Sequence, residues 1–198
     1  MSTSHCSGIR EGGSFLEFKT ERLTIRPFTS NDLLDVFTIY NNDDTCRYLL
    51  HGKWTIESMH EEFNKKLKNR ELTKETSLSL AVVNNTNVIG DLSVWYTSMK
   101  ETVEIGYCFS NKASGKGFAT EALSGLVKTL FDIYNVHRIQ ANLDARNKSS
   151  QKLCERIGMR KEAHFIQDFW NKNEWTDSMV YGMLRSDLDL RNQHNVCT

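Results

Sequence analysis

Residues 114–120 read Ser-Gly-Lys-Gly-Phe-Ala-Thr, two glycines flanking a lysine directly ahead of a long amphipathic stretch. Small residues that lead into a helix leave backbone N–H groups unpaired at the positive end of its dipole, which makes a ready site for phosphate. Gly115 and Gly117 would admit an anion close to the chain, but a bare Gly-x-Gly pair also makes a tight turn with no ligand at all. Spacing excludes two phosphate loops. A nucleoside triphosphatase loop needs glycine and then Ser or Thr at the positions where this chain has Ser110 and Gly117. A dinucleotide fingerprint needs a third glycine where Thr120 stands.

The other reactive side chains exclude more than they assign. Cys6, Cys46, Cys108, Cys154 and Cys197 are odd in number and contain no C-x-x-C pair, which argues against a zinc knuckle or a disulfide framework and for a reducing compartment. His51, His60, His137 and His164 lack metal-ligand spacing, so no metal is expected. Twenty-five basic and twenty-five acidic residues give a formal net charge of zero, so no whole-molecule field draws nucleic acid or an anionic membrane. No window approaches the roughly 18 apolar residues of a membrane helix, and the N-terminus lacks a signal-peptide core. The chain reads as soluble and cytoplasmic, its expected partner a small molecule or a protein, with a homodimer left open.

Elements must hold these residues. The 198 residues are 39% hydrophobic with 10 Phe, 6 Tyr and 4 Trp, enough apolar mass for one core and too little for two large ones. Residues 1–14, rich in Ser and Gly, have almost nothing to pack and read as a flexible tail; 15–190 read as one domain and 191–198 as a C-terminal tail. Leu23-Thr-Ile25-Arg26 alternates at the strand period before Pro27 ends it. Thr29 or Ser30 caps a helix through Leu33, Val36, Phe37 and Tyr40, and Thr55 opens a second through Met59, Phe63 and Leu67, with the charge-dense segment Glu61 to Arg70 as its solvated face. Leu78 to Val83, Val88 to Tyr96 and Val103 to Phe109 form an antiparallel meander. Apolar residues then recur at helical spacing from Phe118 to Tyr134. His137 to Leu143 follows as a strand, Ser149 to Ile157 as a helix stopped at Gly158, and two last strands bracket Asn171 to Glu174.

In that setting Ser114-Gly115-Lys116-Gly117-Phe118-Ala119 resembles the acetyl-coenzyme A loop of GNAT-type N-acetyltransferases, Gln/Arg-x-x-Gly-x-Gly/Ala between a central strand and a long helix. The likeness extends to Glu104-Ile105-Gly106-Tyr107, to Thr120-Glu121-Ala122, and to Asn147-Lys-Ser-Ser150-Gln-Lys-Leu153-Cys154-Glu-Arg-Ile157-Gly158-Met159. Thr20 to Pro27 and Trp175-Thr-Asp177 resemble the branch that contains ribosomal-protein N-terminal acetyltransferases. The resemblance implies an α/β (α+β) GNAT fold, a mixed, mainly antiparallel sheet of about seven strands flanked by helices. It also implies an acyltransferase that moves the acetyl group of its co-substrate, acetyl-coenzyme A, directly to a primary amine. The favoured acceptor is the α-amine at a protein or peptide N-terminus. A polyamine, amino acid or antibiotic is the enzymatic alternative, and a non-catalytic acyl-coenzyme A binding module is the third.

The same resemblance implies a site. Ser114, Gly115, Lys116, Gly117, Phe118, Ala119 and Thr120 would clasp the pyrophosphate, Ser114 replacing a longer Gln or Arg while leaving the backbone donors. The N–H groups of Tyr107, Cys108 and Phe109 would hold the pantetheine and polarise the thioester carbonyl if this strand splays from the next. Asn147 and Ser150 would complete the cofactor site; Asn147 is equally a turn residue and Ser150 a helix cap.

Direct transfer needs a neutral amine. A lysine-like amine with pKa about 10.4 costs about 4 kcal/mol to neutralise near pH 7.4, against under about 1 kcal/mol for an α-amine near 8. Glu104 is the candidate base, acting through a water, or else a surface or salt-bridged carboxylate. Protonating the leaving thiolate gains only about 1–2 kcal/mol at neutral pH, so a dedicated acid is not obligatory. Ser150 could donate to the sulfur and Cys154 more weakly; Cys154 stands where many relatives carry a tyrosine proposed as the acid, and is otherwise a packing cysteine. Trp54, Trp95, Tyr96, Phe165, Phe169, Trp170 and Trp175 line an acceptor pocket or fill the core.

Overall fold

The computed structural model describes residues 16–194, with side chains to residue 189. The tail expected over 1–14 lies outside these residues, as do 195–198 of the tail expected over 191–198; residues 191–194 continue a helix.

Alternation decides the architecture. In β3 (Leu78–Asn84) the side chains of Leu80 and Val82 enter one buried cluster and those of Ala81 and Val83 another, so the sheet is covered on both faces. Strands β1 (Phe18–Lys19), β2 (Thr24–Pro27), β3, β4 (Asn87–Tyr96), β5 (Thr102–Phe109), β6 (Arg138–Asp144), β7 (Arg160–Asn171) and β8 (Glu174–Leu184) form one sheet in the order β1-β2-β3-β4-β5-β6-β8-β7. Every neighbouring pair is antiparallel except β5 and β6. This is the mixed, mainly antiparallel sheet expected. The strand beyond the expected number is β1, whose two residues are too few to show a period.

On one face lies α4 (Phe118–Asp132), whose Leu123, Leu126, Leu130 and Phe131 are fully buried with Val103, Ile105 and Ile139. Each such side chain contributes about 1.5–3 kcal/mol of burial. Beside it runs α5 (Lys148–Arg156), followed by Gly158 at φ +94°, the left-handed stop its sequence predicts. The other face is covered by α1 (Leu33–Tyr40) and α3 (Met59–Lys68), around Phe28, Val36, Ile39, Trp54 and Phe63.

Two short features shift the expected helix starts. Thr29 N–H donates to Asp32 Oδ2 at 2.7 Å, so a 3-10 turn over Ser30–Asp32 precedes α1. Thr55 and Ser58 exchange backbone-to-side-chain bonds of 3.0 and 3.3 Å, which holds a turn ahead of α3. The four-residue α2 (Asp43–Cys46), capped by Asn42, and the terminal α6 (Arg185–His194) lack a sustained apolar period.

The sheet splits where it matters. The parallel register of β5 and β6 covers only Thr102↔Arg138, Val103↔Ile139 and Glu104↔Gln140, although both strands run on. Beyond Glu104, β5 stays with β4 and β6 stays with β8.

Candidate active site

Strand residues alternate in the edge towards which their N–H and C=O groups point. Ser110 N–H donates to Ile89 O at 2.9 Å, which fixes the alternation along the ladder: Glu104, Gly106 and Cys108 bond to β4, while Tyr107 and Phe109 direct their N–H groups into the split. Cys108 is on the wall of the groove beside the glycine loop, as expected of a cofactor-site residue, but its amide differs from the expectation for it. Its amide serves the β4 ladder opposite Asp91, and its thiol is buried in the second core, where burial and then the charge of Asp91 push its pKa up to about 12.

The glycine loop continues from β5. Gly115 and Gly117 have φ of +73° and +78°, the left-handed region, and nothing lies within 4 Å of where a Cβ on Gly115 would point. Gly117 is the residue ahead of α4, and the first helical bond runs from Glu121 N–H to Gly117 O at 3.0 Å. Phe118, Ala119 and Thr120 therefore have N–H groups without an intrahelical acceptor.

Glu121 anchors the loop. Its carboxylate accepts Thr20 Oγ1 at 2.6 Å, Arg22 N–H at 2.7 Å and Arg22 Nε at 2.7 Å, while Arg22 Nη1 donates to Lys116 O at 3.0 Å. Burial pushes the Glu121 carboxyl up, but the bonds from Thr20 and Arg22 outweigh it and hold it below the usual range. The Arg22 guanidinium also stacks 4.6 Å from the Phe118 ring centroid.

A groove of about 500 Å³ is lined by Tyr107, Phe109, Ser114, Gly115, Gly117, Ala119, Thr120, Asn147 and Ser150. Its charged side chains among the described residues are Arg156, in the last turn of α5, and Asp44, in α2 on the other wall. The fit to acetyl-coenzyme A is chemical as well as spatial: unpaired amides at a helix start, two left-handed glycines that leave the backbone bare, and one guanidinium face an anionic ligand. The backbone carbonyl of Lys116 and the ring of Phe118 face Arg22 instead, and neither residue is on the groove wall.

Adjoining the groove is a cavity of about 340 Å³, lined by Tyr48, Leu49, Leu50, Trp95, Glu104, Phe169 and neighbours. Tyr48, Leu49, Tyr107, Asn147 and Ser150 belong to both spaces, so the groove and the cavity meet at the split. Glu104 lines the cavity with Gln140 Nε2 donating to its Oε2 at 2.8 Å; among the described residues its Oε1 has no hydrogen-bond partner.

Where the spaces meet, Tyr107 Oη lies 2.6 Å from Ser150 Oγ and 3.2 Å from Cys154 Sγ. Asn147, not Ser150, is the cap of α5, accepting Ser150 N–H at 3.1 Å. Cys154 is fully buried behind Tyr107 and lines neither space; burial pushes its thiol up to about 11. Burial likewise raises the Tyr107 phenol well above its ordinary value, with Cys154 as the next cause.

Of the aromatics, Trp95 and Phe169 line the cavity, Trp54 is core, and Phe165, Trp170 and Trp175 are exposed away from it. Sequence reasoning missed the Tyr107 hydroxyl, Arg156 and the segment Tyr48–Leu50. Arg156 sits seven residues, about two turns, past Ser149 and therefore on the same helix face, a signal that could have found it. Tyr48–Leu50 has no such signal.

Comparison with known proteins adds the following. The family model of the acetyltransferase (GNAT) domain matches residues 22–160. A solved acetyltransferase of the GNAT family from Bacillus anthracis is 30% identical, covers 86% of this chain and 99% of its own, and superposes with a TM-score of 0.77. The [ribosomal protein uS5]-alanine N-acetyltransferase of Escherichia coli is 30% identical over 83 residues, 42% of this chain and 43% of that protein. The spermidine N(1)-acetyltransferase of Vibrio cholerae is 23% identical over 166 residues, 83% of this chain and 94% of that one.

Proposed function

This chain belongs to the acetyltransferase (GNAT) domain family, and from that premise we propose that it acetylates the α-amine at the N-terminus of a peptide or protein. Its N-acetyltransferase class follows from the family; the acceptor is our reading. The observation that carries it is the split after Glu104 and Gln140, which joins the groove to a cavity holding a carboxylate beside the unpaired amides of β5.

Acetyl-coenzyme A, when bound, supplies the thioester that an amine attacks. The amides of Ala119 and Thr120 and the bared backbone at Gly115 and Gly117 would hold its pyrophosphate, with Arg156 adding charge and Asn147 lining both spaces. Tyr107 and Phe109 N–H groups, fixed by the β4 ladder, would face the pantetheine and the carbonyl oxygen, donors that need no reorganisation. Glu104 accepts the amine proton at its free oxygen, directly or through a water, while Gln140 keeps the other oxygen in place. Of the Tyr107 and Ser150 hydroxyls, one donates to the other, and the remaining proton is available to the departing sulfur. Cys154 positions Tyr107 from behind.

An α-amine suits one carboxylate base because neutralising it costs under about 1 kcal/mol near neutral pH. The partial likeness to an alanine N-acetyltransferase supports this acceptor, and the longer, weaker likeness to a spermidine enzyme supports the rival. The test is acetyl-coenzyme A consumption by the purified chain with N-terminally free and N-terminally blocked versions of one lysine-containing peptide, with mass spectrometry of the product. Acetylation of the free terminus alone is expected; equal labelling of the blocked peptide overturns the reading.

A further inference from the structure

We infer that the acceptor is a monoamine whose amine-bearing unit is bulky and apolar, and that Trp95 and Phe169 select it. This rests on the acetyl-transfer reading above. Trp95 is the cross-strand partner of Glu104, and its ring lies over Gly106, where an added Cβ would stand 3.3 Å from it. The cavity floor beside the base is therefore an indole face, available because residue 106 has no side chain.

Phe169 comes from the facing hairpin. The β7–β8 register passes from Phe165↔Ser178 to Phe169↔Thr176, four residues on one strand against two on the other, with Gln167 at φ +47°. Asp177 holds that bulge through Gln167 N–H at 2.9 Å and His164 Nε2 at 3.0 Å. A bulge re-aims side chains, and this one sets Phe169 on the cavity wall.

Charge excludes the polyamine rival. Among the described residues the carboxylates lining the cavity are Glu104 and Asp144. Asp144 is committed: Arg146 donates to it from Nη2 at 2.7 Å, Nε at 3.0 Å and N–H at 2.9 Å, and its side chain is only 6% exposed. One free anion remains in the cavity for the amine itself; the next carboxylate, Asp44, lines the groove that the cofactor would fill, not the cavity. Lys172, the residue after the lining Asn171, donates from Nζ to Cys46 O at 2.6 Å and Arg47 O at 3.3 Å, tying the hairpin tip to the segment that supplies Tyr48–Leu50.

The test uses the full chain, acetyl-coenzyme A and a panel of phenylalanine amide, spermidine, and peptides of one body that begin with Phe, Leu or Gly, scored by thiol release and product mass. Phe- and Leu-first peptides should exceed the Gly-first peptide in kcat/KM by about tenfold or more, the scale of burying one apolar side chain, and spermidine should fall below both. Trp95→Ala and Phe169→Ala should collapse the Phe-to-Gly ratio towards one, with retained heat of acetyl-coenzyme A binding showing that the variants fold. Asn142→Asp, which adds to the cavity lining a carboxylate besides Glu104 and the Arg146-bound Asp144, should raise spermidine relative to the Phe-first peptide about tenfold. A preference for spermidine, a Phe-to-Gly ratio near one, or no turnover of any panel member while acetyl-coenzyme A binds overturns the inference and leaves the transferase class standing. Absence of acetyl-coenzyme A binding by the wild-type chain overturns both.

Discussion

The hydroxyls of Tyr107 on β5 and Ser150 on α5 lie 2.6 Å apart, a hydrogen bond between elements on the two sides of the split. Burial keeps the Tyr107 phenol protonated far above neutral pH, so it serves as a hydrogen-bond donor throughout the working range rather than as a titrating acid. Tyr107→Phe should lower kcat about tenfold to a hundredfold with KM for acetyl-coenzyme A within a few-fold. The alkaline limb of the rate profile should not move. Ser150→Ala should cost a similar amount, and the double variant little more than either, since the two act as one unit. Additive losses would separate them.

Glu104 has one oxygen held by Gln140 and, among the described residues, one without a hydrogen-bond partner. Glu104→Gln keeps the shape and removes the base, which should lower kcat/KM about 10²- to 10³-fold near neutral pH. The variant's rate should then rise tenfold per pH unit up to the pKa of the acceptor amine, because only amine already neutral in solution reacts. A pH profile parallel to that of the wild type would assign the proton elsewhere.

Gly115 and Gly117 separate conformational strain from crowding. Both have positive φ, but a Cβ on Gly115 meets open space whereas one on Gly117 stands 3.4 Å from Arg22 Nη2. Gly115→Ala should cost about 1–2 kcal/mol from its backbone conformation alone. Gly117→Val should additionally disturb the Arg22–Glu121 anchor and weaken acetyl-coenzyme A binding by more than tenfold in calorimetry. Wild-type affinity in Gly117→Val would remove the loop from the binding site.

Much of this was legible in the sequence, for reasons tied to period and spacing. The alternation of β3 to β5, the apolar stripe of α4 and the glycines before it each signal structure through local rules, and the fold places them accordingly. Three things were not legible. A two-residue strand such as Phe18–Lys19 has no period. The split after Glu104 is a relation between strands, and its consequence, that Tyr107 and Phe109 face the gap while Cys108 does not, depends on register. Tyr48–Leu50 reaches the cavity only because Lys172 and Asn171, more than a hundred residues away, bond to the backbone around it.

Buried thiols contribute to the loss of stability at alkaline pH. Burial raises Cys154 to about 11 and Cys108 to about 12, whereas an unfolded thiol titrates near about 8.5. Folded pKa values above the unfolded ones mean that the contribution is complete below about pH 8.5 and is lost as pH rises. In that window the unfolded chain has released protons that the native chain keeps. Each thiol should lower stability by about 1.4 kcal/mol per pH unit until its folded pKa is reached. Urea unfolding of Cys108→Ala between pH 8.5 and 11 should show a shallower decline than the wild type; an unchanged slope would refute the assignment.

Lys66 and Asp91 form an ion pair between α3 and β4, and its energetics are those of the protein interior. Asp91 is 1% exposed, and Tyr40 Oη also donates to it at 3.0 Å. The Lys66 ammonium sits 4.7 Å from the Tyr40 ring centroid and 5.9 Å from that of Trp54, so it is enclosed by aromatic faces as well as by its counter-ion. Removing the cation alone strands a buried carboxylate, which costs more than the pair is worth. Lys66→Met should therefore destabilise the fold by about 3–5 kcal/mol. Lys66→Met combined with Asp91→Leu should recover a substantial part of that loss, because it removes the stranded charge along with its partner. Denaturant unfolding of both variants decides it. Losses that simply add in the double variant would mean that the two residues stabilise α3 and β4 independently and that the pair is not the staple between them.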